Sequence, residues 1–290
     1  QAAGAAAGPS ASGGSAAADD CPATALNAPV LVVTQAVSRD VNPRAAAWGY
    51  LTEVLRRAGV FFEELPPDRL PWLLRRPKAI VLLAGDLPLT AAQRQVLATW
   101  VGGGGALVGI GGTSGLDEVF GVTDARRLAE GWIKVTAQDH PLMAGLRSSL
   151  HVFGGCTVKP GSATSLAELE SATAAIKGSA ILEHRVGTGR AILLAPDLLF
   201  SIVHIQQGLP VFQDVHAAPD ESAATNEGIL KAEDGMVLDW TRDRSPMQPE
   251  GVPAFLEPIT DELRELILRS VFHAAREQGV SLPLLWYWPR

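Results

Sequence analysis

AIVLLAGDLPLTAAQRQVLATWVGGGGALVGIGGTSGLDEVFG, residues 79–121, is the stretch that decides the fold. Residues 80–83 and 106–110 are continuous apolar runs, which are typical of strands covered on both faces. Between them, Thr90 is followed three residues later by Gln93, which is the capping-box spacing that begins a helix. Gly102 then ends that helix. The stretch therefore predicts a strand, a helix and a second strand.

A glycine-rich turn follows the second of these strands directly. Ligands of open α/β sheets bind at the carboxyl ends of the strands, so this turn is the first place to look for a site. The backbone N–H groups of Gly111, Gly112, Thr113 and Ser114 lie before a predicted helix, where they would form an anion site. The alternative, which we favour, is that the glycines only allow a tight turn and close packing.

The rest of the chain extends the same pattern in both directions. Residues 29–34 and 60–65 are further strands, with an amphipathic helix between them. Residues 66–76 are a turn-rich connection with one helical turn around Trp72, and residues 151–158 are a later β-like run. Residues 179–186 and 190–195 flank the turn Gly-Thr-Gly and predict a hairpin. Consecutive strand–helix units favour a parallel sheet with right-handed crossovers. The predicted fold is an α/β three-layer sandwich, flavodoxin-like, with a mostly parallel sheet, helices on both faces and an antiparallel hairpin extension.

Shifts in composition divide the chain into four predicted segments. Residues 1–28 are rich in Ala, Gly and Ser and predict a disordered leader, which a secretion pathway or a cloning remnant explains equally well. Residues 29–209 form the α/β domain. Residues 210–257 are an acidic loop insertion. Residues 258–290 hold a helix that ends at Gly279 and an aromatic tail, which packs on the same domain or leads to a further one.

The bulk composition excludes several classes of function. The net charge is −7 without a block of Lys or Arg, which argues against a nucleic-acid partner. No apolar run approaches the roughly 20 residues of a membrane span. The two cysteines, Cys21 and Cys156, allow one disulfide but lie in no metal-ligand spacing. The dinucleotide fingerprint is absent after the first strand, so we predict no cofactor. The Asp and His residues between positions 197 and 243 match no metal-ligand spacing, so we predict no metal.

Three segments carry a resemblance to a known superfamily. They are residues 89–112 (LTAAQRQVLATWVGGGGALVGIGG), residues 139–146 (DHPLMAGL) and residues 187–197 (GTGRAILLAPD). Their order and spacing resemble the class I glutamine amidotransferase-like superfamily, in particular its non-amidotransferase branches. These branches are the ThuA-like proteins and the middle, trimerisation-type domain of certain β-galactosidases. The resemblance covers residues 29–207.

The resemblance implies a catalytic triad that this sequence lacks. Working amidotransferases hold a Cys nucleophile in a G-x-C-x-G turn, with a His and a Glu after a later strand. Here the turn reads Gly-Ile-Gly-Gly-Thr over residues 109–113, so that Gly111 takes the position of the nucleophile. The later strand is followed by Pro-Asp-Leu at residues 196–198, without the His-x-Glu pair. We therefore do not expect glutamine hydrolysis.

Three other residues are weaker candidates. His140 and Asp197 would be the catalytic residues of an atypical site, although a structural hydrogen bond is the preferred interpretation of His140. Trp240, in the acidic segment, would stack on a sugar ring, although anchoring of that loop to the core is preferred. Cys156 reads as a small buried hydrophobe, and His184 and His204 as histidines without a paired base.

These observations lead to one functional expectation and one alternative. We expect a non-catalytic module of an exported, carbohydrate-related multidomain protein. Its role would be to bind a small anionic or carbohydrate ligand, or to assemble subunits as a homo-oligomer or with a following enzyme domain. The alternative is an atypical carbohydrate-active hydrolase with its site at residues 111–114. The expected location is extracytoplasmic or secreted, with a cytoplasmic location as the alternative.

Overall fold

The structure is a computed structural model that describes residues 28–34, 48–147, 149–171, 177–206 and 261–283. Its strands are β1 (Val30–Val33), β2 (Phe62–Leu65), β3 (Ile80–Ala84), β4 (Ala106–Ile110), β5 (Val122–Arg127), β6 (Glu130–Val135), β7 (Leu150–Phe153), β8 (Cys156–Pro160), β9 (Thr164–Ser171), β10 (Lys177–Val186) and β11 (Gly189–Leu194). Its helices are α1 (Trp48–Arg57), a 3₁₀ helix (Pro67–Arg75), α2 (Ala91–Gly102), α3 (Asp117–Phe120), α4 (Leu198–Gln206) and α5 (Asp261–Gln278).

These strands form one mixed sheet. Its order is β2-β1-β3-β4-β11-β10-β9-β6-β7, and β5 and β8 are attached through pairing of β8 with β10. The pairs among β2, β1, β3, β4 and β11 are parallel. The pairs that involve β5 to β10 with one another, and β10 with β11, are antiparallel. The α/β class and the predicted β10–β11 hairpin are confirmed.

The prediction of a mostly parallel sheet with a hairpin extension is wrong. The antiparallel part is not one hairpin but a block that includes β5 to β10. Strands β5 to β10 make antiparallel pairs only, so the parallel part of the sheet ends at β11. The three-layer, flavodoxin-like description stays a prediction.

Alternate residues of the parallel strands enter two separate apolar clusters. Val30 and Val32 of β1 belong to a cluster with residues of α1, α4 and α5. Leu31 and Val33 belong to a second cluster with residues of α2 and the 3₁₀ helix. Because successive side chains of a strand point to opposite faces, both faces of this part of the sheet are covered. This explains why its strands read as continuous apolar runs.

The stretch that decides the fold has the predicted elements. Strand β3, helix α2 and strand β4 lie where the pattern puts them. Both capping-box bonds form: the Gln93 N–H donates to Thr90 Oγ1 at 3.2 Å, and the Thr90 N–H donates to Gln93 Oε1 at 2.8 Å. Helix α5 ends before Gly279, whose φ of +62° is the left-handed conformation that favours glycine after a helix.

Two local expectations need correction. The β-like run predicted over residues 151–158 is two strands, β7 and β8, separated by Gly154 and Gly155 with φ of +74° and +78°. Two successive positive φ values redirect the chain, so one extended run cannot pass through them. The turn-rich connection around Trp72 is a nine-residue 3₁₀ helix rather than a single helical turn.

Several predictions lie outside the described residues. They concern the leader up to residue 27, Cys21, the acidic segment with Trp240, and the aromatic tail from residue 284 onward. The segment boundaries therefore stay predictions. Within the ranges that the structure describes, none of the helices has the length and apolar character that a membrane crossing requires.

Candidate functional site

The glycine turn that follows β4 has a glycine at the position of the missing nucleophile. Gly111 has φ of +81°, and its N–H donates to the Leu194 carbonyl at 2.9 Å, which ties the turn to the end of β11. A Cβ at this position would lie 3.3 Å from Asp197 Cγ and 3.4 Å from Asp197 Cα. A side chain here would therefore adopt a strained backbone conformation and press against Asp197.

Ser114 links the turn to the loop after β3. Its N–H donates to Asp86 Oδ1 at 2.8 Å, and its Oγ accepts from the Leu87 N–H at 2.9 Å. A Cβ at Gly112 would lie 2.6 Å from Asp86 Cγ, so that glycine is needed for the close approach of the two loops. One of the amides proposed for an anion is thus used by a carboxylate of the protein itself. The binding role of residues 111–114 stays a prediction.

The two candidate catalytic residues belong to different groups. Asp197 Oδ1 accepts from the Phe200 N–H at 2.9 Å, as an N-cap of α4 does, and lies against Gly111. His140 Nε2 instead lies 3.2 Å from Glu183 Oε2. The structure therefore places Asp197 at the turn and gives His140 another partner.

Cys156 packs close to the turn but does not supply the missing nucleophile. It is partly buried against the second apolar cluster, and its Sγ–H donates to the Ala195 carbonyl at 3.6 Å. Burial, and then the negative charges of Asp86 and Asp117, raise the pKa of the Cys156 thiol to about 12. The group therefore remains a thiol at neutral pH, and the thiolate is the form that attacks.

A second polar group surrounds Glu183, on the strand next to β11. Glu183 Oε1 accepts from His273 Nε2 at 2.8 Å and from Arg190, while Glu183 Oε2 faces His140. Arg190 also donates to Glu277 Oε2 at 2.7 Å. We call these five residues the Glu183 network. It joins β10, β11, α5 and the loop that contains His140.

Opposing effects act on the charge of Glu183. Burial by itself would raise the pKa of Glu183, but hydrogen bonds from His273 and Arg190, together with their charges, lower it to about 2. The carboxylate is therefore ionised throughout the neutral range. Only 6% of the Arg190 side chain is exposed, so its guanidinium depends on Glu183 and Glu277 in place of water.

Three members of the network have the donor atoms of a metal site. The ligand atoms of His140, Glu183 and His273 lie within 4.8 Å of one another. Among the described residues, these three are therefore the group that is close enough to hold a metal ion. Two observations oppose a metal. First, Arg190 donates to Glu183 Oε1, the oxygen that also accepts from His273. Second, His140 Nδ1 accepts from the Leu142 N–H at 3.3 Å, so the proton of His140 lies on Nε2, which is the atom that would have to bind the metal. The group fits an ion network better than a metal site.

A third polar group contains His184. Its Nε2 lies 2.8 Å from Ser162 Oγ and its Nδ1 lies 2.9 Å from the Val119 carbonyl oxygen. Neither partner is a base, so His184 has hydrogen-bond partners but no paired base among the described residues. Glu183 and His184 are neighbours in β10 and therefore point to opposite faces of the sheet. The side chain of His204 lies outside the described residues.

Sequence reasoning missed Glu183, Arg190, His273 and Ser162. One signal was present for two of them. Glu183 interrupts an apolar strand, and His273 stands seven residues after Leu266 on the buried stripe of α5. Nothing in the sequence indicated that these residues meet, because their contacts join distant elements.

Comparisons with known proteins give likenesses of structure at low identity. No protein-family model matches the chain, and no curated protein matches it. A β-galactosidase from Bacillus circulans sp. alkalophilus is similar at 16% identity and a TM-score of 0.45, over 61% of this chain and 30% of that one. A ThuA-like protein from Bacteroides uniformis ATCC 8492 is similar at 13% identity and a TM-score of 0.43, over 61% and 86% of the two chains.

A cytoplasmic protein from Salmonella typhimurium is similar at 14% identity and a TM-score of 0.43, over 58% of this chain and 87% of that one. Solved structures similar to this chain thus include the two kinds of protein that the sequence resembles. This chain matches only about a third of the length of the β-galactosidase. At these scores the likeness carries no argument about activity, and membership of the superfamily stays a prediction.

Proposed function

We propose that this chain is an amidotransferase-like module, non-catalytic at its glycine turn, with a three-layer, flavodoxin-like fold, which binds a carbohydrate at that turn as part of an exported multidomain protein. One observation carries the proposal. The position where the superfamily holds its nucleophile is Gly111, with a positive φ and with Asp197 against it. A glycine offers no attacking atom, and the surroundings leave no relaxed place for a cysteine side chain.

The neighbouring residues do not replace the missing nucleophile. The raised pKa of Cys156 keeps its sulfur protonated. Ser114 Oγ is engaged with the Leu87 N–H and the Gly85 carbonyl. Across the part of the chain that the structure describes, no histidine hydrogen-bonds to Thr113 or Ser114. The alternative of a hydrolase at this turn therefore has no histidine base, and the carboxylates of Asp86 and Asp197 are hydrogen-bonded to backbone amides, so we do not adopt it.

The charges beside the turn favour one of the two ligand classes. Asp86 and Asp197 place carboxylates next to Gly112 and Gly111. An anion would be repelled by these carboxylates and would compete with Asp86 for the Ser114 amide. A sugar brings hydroxyl groups that donate to carboxylate oxygens. The turn therefore supports a neutral, hydroxyl-rich ligand more than a small anion.

The experiment is a screen of oligosaccharides followed by calorimetry of any ligand found. Asp86→Asn and Asp197→Asn retain an oxygen for the local hydrogen bonds but remove the charge. We expect each to weaken binding about tenfold or more, as for the loss of one charged hydrogen bond. Asp124→Asn is the matched control, because Asp124 lies on β5 and is paired with Arg126 and Lys159.

Two results would overturn separate parts of the proposal. Release of ammonia from glutamine by the purified chain would show that the module is catalytic. Failure to bind any oligosaccharide, or equal weakening by Asp124→Asn, would remove the carbohydrate site. The predicted homo-oligomer is a separate matter, which light scattering of the purified chain decides.

A further inference from the structure

The hydrogen bonds around His184 determine where its proton lies. The Val119 carbonyl oxygen can only accept, so His184 Nδ1, at 2.9 Å, carries the hydrogen. In the neutral imidazole, Nε2 then offers a lone pair to Ser162 Oγ at 2.8 Å, and the serine hydroxyl donates. A hydroxyl that donates to a neutral imidazole, which is itself oriented by a third group, is the arrangement of an activated nucleophile.

The turn between β8 and β9 fixes the serine in this position. The amides of Gly161 and Ala163 both donate to the Gly121 carbonyl, at 2.8 and 3.0 Å. A Cβ at Gly121 would lie 2.7 Å from His184 Cγ and 2.8 Å from Ser162 Oγ, so the pair packs directly over this glycine. Any other residue at position 121 would push the serine and the histidine away from their places.

The serine is open to solvent, whereas the histidine is half-buried. Ser162 is an exposed residue, so a substrate reaches its hydroxyl without a change in the fold. Among the described residues the Ser162 amide has no hydrogen-bond acceptor, while the amides on either side of it are used. A free N–H next to the attacking oxygen is a donor for the oxyanion that forms when a carbonyl is attacked.

We propose that Ser162 and His184 form an acyl-transfer site that accepts the acyl group of a solvent-accessible ester. Ser162 is the nucleophile and His184 the general base, and the Val119 carbonyl is a positioning group. This site lies apart from the glycine turn, so the proposal does not depend on carbohydrate binding there. It adds a reaction to a module whose amidotransferase position has no nucleophile.

The reaction has two balanced steps. Ser162 Oγ forms a bond to the ester carbonyl carbon while its proton moves to His184 Nε2, and the bond from that carbon to the alcohol oxygen breaks as the alcohol takes the proton from Nε2. Water then attacks the acyl-serine, gives its proton to Nε2, and Ser162 leaves with that proton as the acid is released. A neutral carbonyl supports the imidazolium less than a carboxylate does, so we expect slow turnover.

The test is covalent labelling of the complete chain with a fluorophosphonate, located by peptide mass spectrometry. We expect a single adduct on Ser162 and no adduct there in Ser162→Ala. In His184→Gln, the amide oxygen still accepts from Ser162 but takes no proton, so the labelling rate should fall about 100-fold or more.

Ser165→Ala is the matched control, because Ser165 hydrogen-bonds to Ser179 and not to a histidine. It should label as the wild type does. Circular dichroism and thermal unfolding establish that each variant is folded. The proposal is overturned if Ser162 remains unlabelled in the folded wild type, or if His184→Gln labels at the wild-type rate, since the hydrogen bond would then be structural only. Release of 4-nitrophenol from 4-nitrophenyl acetate should follow the same order among the variants.

Discussion

The glycine turn and the Glu183 network both contain carboxylates, but they are neutralised in different ways. At the turn, Asp86 and Asp197 accept from the backbone amides of Ser114 and Phe200. In the network, Glu183 accepts from side chains that come from a loop, a neighbouring strand and a helix. Backbone amides are present whatever the sequence, whereas the partners of Glu183 are specific residues. The turn should therefore depend on the backbone conformation of its glycines, and the network on the identity of its side chains.

The largest expected effect is removal of the carboxylate at the centre of the network. Glu183→Ala leaves the buried Arg190 guanidinium without one of its two carboxylates, and breaking a buried pair in this way costs about 3–5 kcal/mol. The free energy of unfolding, measured in urea, should fall by that amount. Glu168→Ala, at an exposed position on the neighbouring strand β9, should change it by about 0.5 kcal/mol or less. Equal effects would mean that the network does not stabilise the fold.

The second effect is a loss of stability in acid. The pKa of Glu183 is about 2 in the folded protein against an ordinary value of 4.5, because the hydrogen bonds of His273 and Arg190 outweigh burial. A carboxyl group whose pKa is lower in the folded protein stabilises the fold fully at pH values above its pKa in the unfolded chain. This stabilisation is lost as the pH falls from about 4.5 through about 2. The loss should be on the order of 2–3 kcal/mol.

The measurement is the free energy of unfolding as a function of pH in the wild type and in Glu183→Gln. Other carboxylates titrate in the same range, and His140, His273 and Glu277 also face the network, so only the difference between the two proteins reports on Glu183. The wild-type curve should be steeper between pH 4.5 and pH 2. Curves of the same slope would show that Glu183 titrates normally in the folded state.

The third effect tests the glycine turn. Gly111→Ala introduces a Cβ at φ of +81°, a region that costs an alanine about 1–2 kcal/mol, and places it against Asp197. Gly102→Ala is the matched control, because Gly102 lies in α2 and no atom would contact its Cβ. There the change should be neutral or stabilising, by up to about 1 kcal/mol. A neutral Gly111→Ala would mean that the turn has room for a side chain.

The same contrast explains how much of the molecule the sequence could reveal. The elements from β3 to β4 depend on neighbours a few residues apart: apolar runs, a capping box whose two members are three positions apart, and a glycine stop. Local pattern was sufficient for these. The antiparallel block was underestimated, because short alternating strands predict a sheet but not the order in which the strands pair.

The contacts within the polar groups could not be predicted from the sequence for a related reason. His140 and Glu183 are 43 residues apart in the chain, and His273 and Glu183 are 90 apart. The sequence identified His140 as a candidate but not its partner. Ser162 lies in a short turn with no motif around it, and only the fold shows that His184 is beside it. The chemistry of single residues was visible, but their pairing depends on long-range contacts.

The smallest expected effect comes from adding Zn²⁺, which should leave the thermal midpoint unchanged. A metal between His140, Glu183 and His273 would have to compete with the Arg190 guanidinium for Glu183 and remove the proton from His140 Nε2. Thermal unfolding in rising Zn²⁺ concentrations tests this, together with the absorption spectrum after addition of Co²⁺.

If these three residues do bind zinc, the stability will instead rise by about 2.7 kcal/mol at a concentration of 100 Kd. That increase would disappear in His273→Gln but persist in His151→Gln, because His151 pairs with Glu130 outside the network. Such a result would turn the Glu183 network from an ion network into a metal centre.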